Sequence, residues 1–191
     1  MRRASARTTL PLAPTDVLRL WTDVERWPSF VEGFARRLEL TEAWPEPGGR
    51  VVWESAPSGR GRVTETVVER GADRFSTRVY EEALTGVQTL RVLAAEDGAA
   101  RDASNGGGDG VGSNGGADGE GSNGGAEFEA LNDGSEGEGS EVELSLEYEL
   151  ARYGPLRGLA DALFIRRALR DSLKRTLFRF SVEAEDQAGL R

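Results

Sequence analysis

Two charged side chains alternate with apolar neighbours along their strands. Glu65 alternates with Val63 and Val67, and Arg91 with Val87 and Leu93. Each either points into an interior, where it would orient the head group of a small molecule, or lies on an outward face or pairs with the other. Tyr80 and Tyr148 add phenols able to donate to a developing negative charge, and a buried carboxylate can be tuned toward neutral pH. The absences narrow this chemistry further. The chain has no His and no Cys, which excludes Ser-His and Cys-His nucleophiles, thiolate metal sites, disulfides and redox pairs. The glycine-rich tract holds no Lys followed by Ser or Thr, so it is not a phosphate cradle. No cofactor and no metal is expected.

The elements that must position these residues are mostly strands. Ala6 to Leu12 reads as a short strand. A helix capped by Thr15 or Asp16 follows, with Val17, Leu18, Leu20, Trp21 and Val24 at helical spacing until Trp27-Pro28 interrupts it. A second helical turn fits Ser29 to Gly33. Strands are then expected at 34–42, 50–56, 61–70, 74–81 and 84–94, as in an antiparallel meander. Residues 141–150 alternate without a fault, Val142, Leu144, Leu146, Tyr148 and Leu150 against Glu141, Glu143, Ser145, Glu147 and Glu149. One of those faces meets a core and the other water. A long helix is expected over 155–185.

This arrangement nominates a pocket. Trp27, Phe30 and Phe34 would line its entrance, Trp53, Tyr80 and Tyr148 would come from the sheet, and Leu163, Leu169 and Leu173 from the long helix. Most of these side chains are also needed simply to fill the core of a 191-residue chain.

Between 98 and 140 the composition changes abruptly. Fifteen of 43 residues are Gly, and nine acids against Arg101 give this segment a net charge of -8 out of the chain's -9. Such a tract cannot bury enough apolar area to offset its ordering entropy, so disorder is expected. It lies between two strands that can pair, which makes it an overgrown hairpin loop inside one domain spanning 1–191. The long helix, by contrast, is basic. Between Arg152 and Arg179 stand eight basic residues opposed by Asp161 and Asp171. They either pair with the Glu-rich strand 141–149 or present a face to a weak anionic partner; DNA is not expected. No run approaches the roughly 20 apolar residues of a membrane span, and the first residues lack the apolar stretch of a secretory signal, so a cytoplasmic location is expected.

The segment APTDVLRLWTDVERWPSFVEGF resembles the "aPaeeVwalwsDverwPrW" stretch of the START-like SRPBCC superfamily, in particular its polyketide cyclase/dehydrase branch. The C-terminal YGPLRGLADALFIRRALRDSLKRTLFRFSVEAED is similar to that branch's closing helix. The resemblance implies an α+β helix-grip fold, a curved antiparallel sheet wrapped around a long C-terminal helix with two short helices after the first strand. It also implies a cavity between sheet and helix that binds a hydrophobic or amphipathic small molecule such as a lipid, quinone or polyketide. The leading reading is non-enzymatic binding. A cyclase/dehydrase of the aromatase kind is the alternative, and DVERWPSF is also similar to the "DVerYPeF" stretch of coenzyme Q-binding START proteins, which adds a quinone chaperone.

Overall fold

The alternation of residues 141–150 sets the register of a seven-stranded sheet. The computed structural model describes residues 2–56, 61–95, 139–150 and 158–190, the last stretch with side chains from Phe164 onward. Here the alternating segment is strand β7 (Ser140–Leu150). The others are β1 (Arg2–Leu10), β2 (Phe34–Leu40), β3 (Arg50–Ser55), β4 (Arg62–Arg70), β5 (Arg74–Glu81) and β6 (Leu84–Ala94), in the sheet order β1-β7-β6-β5-β4-β3-β2. All neighbours are antiparallel. Strands β6 and β7 pair from Leu84↔Leu150 to Ala94↔Ser140, so the acidic tract joins two arms of one hairpin. The disorder expected for that tract concerns residues that, from 96 to 138, lie outside the described ones.

Val142, Leu144, Leu146 and Tyr148 of β7 are buried, while Glu141, Glu147 and Glu149 are exposed. On the buried side lies helix α3 (Gly158–Gln187). Its Leu173, Leu177, Phe180 and Ala184 share one core with Ala4, Ala6 and Leu10 of β1 and with Leu90 and Val92 of β6. Each large apolar side chain so buried contributes about 1.5–3 kcal/mol. The result is the helix-grip architecture that the sequence motifs imply, an α+β fold with the sheet's concave face closed on the long helix.

The N-terminal boundaries differ from the sequence reading for local reasons. Strand β1 begins at Arg2 and ends at Leu10, pairing with β7 over its whole length. Helix α1 (Pro14–Thr22) starts on Pro14, whose fixed φ suits the first helical position and whose missing N–H is no loss there. It stops before Asp23, which accepts from the Glu25 amide at 3.1 Å and caps a 3-10 turn at Val24–Arg26. Trp27-Pro28 therefore opens the short helix α2 (Trp27–Phe30) instead of breaking α1. Gly33, with φ 81°, then turns the chain into β2. Two register shifts in β2 leave Leu38 outside the pairing and exposed.

The arginines of α3 do not meet the glutamates of β7. Those glutamates point to the other side of the sheet, where Glu143 takes Arg3 at 3.0 Å and Arg7 at 3.3 Å, both from β1. On α3, Arg175 and Arg179 pair with Glu32 at 2.9 and 2.8 Å, and Arg167 reaches Asp171 at 4.0 Å.

Candidate ligand-binding site

The concave face is apolar except for a few groups, and the most buried acid among them is on β4. Glu65 follows the inward parity of Val63 and Val67 and is 5% exposed. Its carboxylate accepts from the Trp53 indole Nε1 at 3.1 Å and from the Thr77 hydroxyl at 2.8 Å, one donor from each neighbouring strand. Both donors are themselves buried, so the three side chains satisfy one another where solvent cannot.

Above Glu65 is a small enclosed space. Trp21, Trp27 and Val31 close it from the N-terminal helical region, Trp53, Glu65, Gln88 and Leu144 from the sheet, and Leu173 and Thr176 from α3; it measures about 20 Å³. That volume holds a single water and no more.

Tyr148 shares this interior. The registers Glu65↔Val79, Val79↔Gly86 and Gly86↔Tyr148 place it on the same cross-strand line as Glu65. The ring is fully buried, and its hydroxyl has no hydrogen-bond partner among the described residues. Gly86 makes its position possible. An added Cβ there would overlap the Glu147 carbonyl oxygen and stand 3.2 Å from Tyr148 Cα.

A wall of rings supports the site. Phe34 stacks on Trp53 with centroids 5.4 Å apart, Trp27 meets Phe34 and Trp44 edge-on at 6.0 and 5.7 Å, and Trp44 meets Phe75 at 5.6 Å. Behind them Phe30 stacks on Trp21 at 5.5 Å and meets Phe180 at 4.9 Å. The Trp27 indole N–H donates to the Trp21 carbonyl at 2.9 Å, which fixes the ring to the end of α1. Offset and edge-on pairs of this kind add to area burial.

The nominated residues thus separate. Trp27, Trp53, Glu65 and Leu173 meet at the enclosed space, and Tyr148 faces the same interior. Phe30 is core packing rather than an entrance, and Phe34 backs Trp53. Leu169 is half-buried at the edge of the core, and Leu163 falls outside the described side chains. Tyr80 and Arg91 are corrections: both lie on the opposite face of the sheet, Tyr80 61% exposed and Arg91 exposed beside Glu143. Strand β6 carries apolar residues on both parities, and the one that faces the core is Leu84, Leu90 and Val92, which makes Gln88 the inward polar residue. Gln88 was legible by pairing β6 against the unambiguous β7, where it stands opposite Leu146. Trp21, Val31, Leu144 and Thr176 were also missed as lining.

No family model and no curated protein matches the chain in sequence. Solved structures match it in shape. One part of the di-domain ARO/CYC StfQ from the steffimycin biosynthetic pathway aligns with a TM-score of 0.63 at 14% identity, over 98% of this chain and 52% of that one. The protein TTHA0849 from Thermus thermophilus aligns at 0.60 and 16% identity, over 97% and 99% of the two chains. A START superfamily protein from Mycobacterium smegmatis aligns at 0.53 and 8% identity, over 97% and 98%. The chain therefore has the START-like helix-grip fold. At these identities the likeness concerns the fold alone, and the site has to be argued from its own residues. Among the described residues, no helix is long and apolar enough to cross a membrane.

Proposed function

We propose that this chain binds one hydrophobic or amphipathic small molecule, lipid-, quinone- or polyketide-like, between the concave face of the sheet and α3, with Glu65 and Tyr148 as its polar contacts. The observation that carries the reading is the Tyr148 hydroxyl, fully buried, turned to the interior and without a partner among the described residues. A buried hydroxyl is stabilised only by an acceptor or donor, and a ligand with a polar group near its end supplies one. The Trp53–Glu65–Thr77 cluster offers a second polar contact, three strands away, and the lining between is apolar apart from Gln88, a composition of the kind small-molecule sites favour.

The space bounded by described residues is water-sized, so binding requires α3 to part from the sheet at Leu173 and Thr176. The polar contacts that such a movement would break run to Glu32, whose amide donates to the Thr176 hydroxyl at 3.1 Å and whose carboxylate pairs with Arg175 and Arg179. Titration with a medium-chain fatty acid and with a short-chain quinone, read by tryptophan emission, tests the reading. Saturable quenching is expected because Trp21, Trp27 and Trp53 border the space. Unchanged emission across amphipaths of several lengths would remove the proposal.

Joint acid–base catalysis has weaker support. Glu65 and Tyr148 are separated by three strand spacings, about 14 Å along the sheet, which suits the two ends of an elongated ligand better than one reacting bond.

A further inference from the structure

A trough crosses the face of the sheet turned away from α3. Its floor is a single cross-strand line of short hydroxylated residues, Ser5 on β1, Ser145 on β7, Thr89 on β6 and Ser76 on β5. The Ser76 and Thr89 hydroxyls are 3.1 Å apart. The neighbouring line on one side is Arg7, Glu143, Arg91 and Arg74, and on the other Arg3, Glu147, Val87 and Arg78. Long side chains flanking short ones leave a depression of about 240 Å³. That is below the range of drug-sized sites and suits a compact polar group.

The charges on its rim are unevenly matched. Arg91 stands directly opposite Arg74 on the adjacent strand, a like-charge placement that destabilises a sheet. Glu143, the acid opposite Arg91 on its other side, is engaged by Arg3 and Arg7. Arg91 has no ion pair among the described residues. Arg74 reaches Glu69 through Nη1 at the long distance of 3.5 Å, and its Nε is buried with no acceptor among the described residues. A sheet face thus carries two adjacent guanidiniums, an unfilled buried donor and a hydroxyl pair beneath them.

We propose that this trough is a binding site for a small oxyanion, a phosphate or phosphate monoester, gripped between Arg74 and Arg91 over Ser76 and Thr89. The anion relieves the arginine repulsion and supplies the acceptor that Arg74 Nε lacks. Guanidinium forks match phosphate oxygens in pairs. One hydroxyl of the Ser76–Thr89 pair donates to the other, so the pair keeps one proton to give to a third oxygen, a contact below the guanidiniums that a tetrahedral anion reaches and a flat carboxylate does not. Glu147 on the far rim limits the occupant to a small one, since an extended polyanion would meet its charge.

The test uses the full chain, inorganic phosphate and glycerol 3-phosphate, with chloride at matched ionic strength as reference. Amide NMR should show saturable shifts centred on Ser76, Thr89, Arg74 and Arg91, and phosphate should raise Tm above the chloride reference. Arg91→Gln should match or exceed the wild-type Tm in chloride, lose the phosphate-dependent rise and bind about tenfold or more weakly. Arg36→Gln, on the far edge strand β2, should bind as wild type does. Tighter binding of glycerol 3-phosphate than of phosphate makes a monoester the occupant, and equal binding makes it the free ion. Shifts that only track ionic strength, or an Arg91→Gln variant that binds like wild type, overturn the proposal.

Discussion

Glu65 and Tyr148 face one interior from the two ends of a single cross-strand line, with Val79 and Gly86 between them. The line is low in its middle because Gly86 carries no side chain. Polar groups at the ends of an apolar groove can fix the orientation of a ligand that fills the middle. The two ends also differ in their present state. Glu65 already accepts two hydrogen bonds, from Trp53 and Thr77, whereas the Tyr148 hydroxyl accepts and donates none among the described residues.

That difference gives opposite signs to one substitution. Tyr148→Phe removes a buried hydroxyl that makes no bond among the described residues, so the ligand-free protein should be unchanged or up to about 1 kcal/mol more stable. The same change should weaken ligand binding several-fold. Urea denaturation alongside a binding titration reads both, and a loss of stability above about 1 kcal/mol would mean that the hydroxyl has an intramolecular role.

Glu65 should behave differently. Glu65→Ala leaves the Trp53 indole N–H and the Thr77 hydroxyl without their acceptor and should cost about 2–4 kcal/mol. Glu65→Gln keeps one acceptor oxygen and should cost about half as much. Thermal unfolding of the pair distinguishes them, and equal losses would show that volume rather than hydrogen bonding governs the position.

Gly86→Ala should destabilise by about 1–3 kcal/mol, because the added methyl overlaps the Glu147 carbonyl and crowds Tyr148. Equilibrium unfolding checks it; an unchanged midpoint would mean that β6 and β7 separate there at no cost.

Trp27 sits at the junction of packing and site. It is 2% exposed, bonded to the Trp21 carbonyl and edge-on to Phe34 and Trp44. Trp27→Ala should therefore cost about 3–5 kcal/mol. A fully stable variant with impaired ligand retention would instead make Trp27 a gate.

The sheet was legible because β7 alternates cleanly and turn residues separate the strands before it. The helix-grip order followed from DVERWPSFVEGF and the closing helix together. Side-chain direction was legible only where one parity was plainly apolar, as at Glu65 between Val63 and Val67. At Arg91 the direction stays open in the sequence, because Val87 and Leu93 make the outward parity of β6 look apolar, and only pairing with β7 decides between the two. Tyr80 followed the same pattern: Phe75 and Val79 claim the inward parity of β5 and leave Tyr80 outside. The fate of the basic helix also depended on register, since nothing local to Arg3 and Arg7 announces that they, and not α3, lie across from the glutamates. The start of α1 at Pro14 was readable from local rules, whereas Trp27-Pro28 required the Asp23 cap to be seen.

The central claim, a ligand held between the sheet and α3, is tested most directly by native mass spectrometry of the purified chain, followed by solvent extraction. One bound small molecule per chain, apolar along most of its length with a polar group near an end, is predicted, and it should be depleted in Leu173→Trp, which fills the space beside Trp53 and Glu65. Mass spectra of the bare chain alone, before and after incubation with amphipaths, would contradict the account.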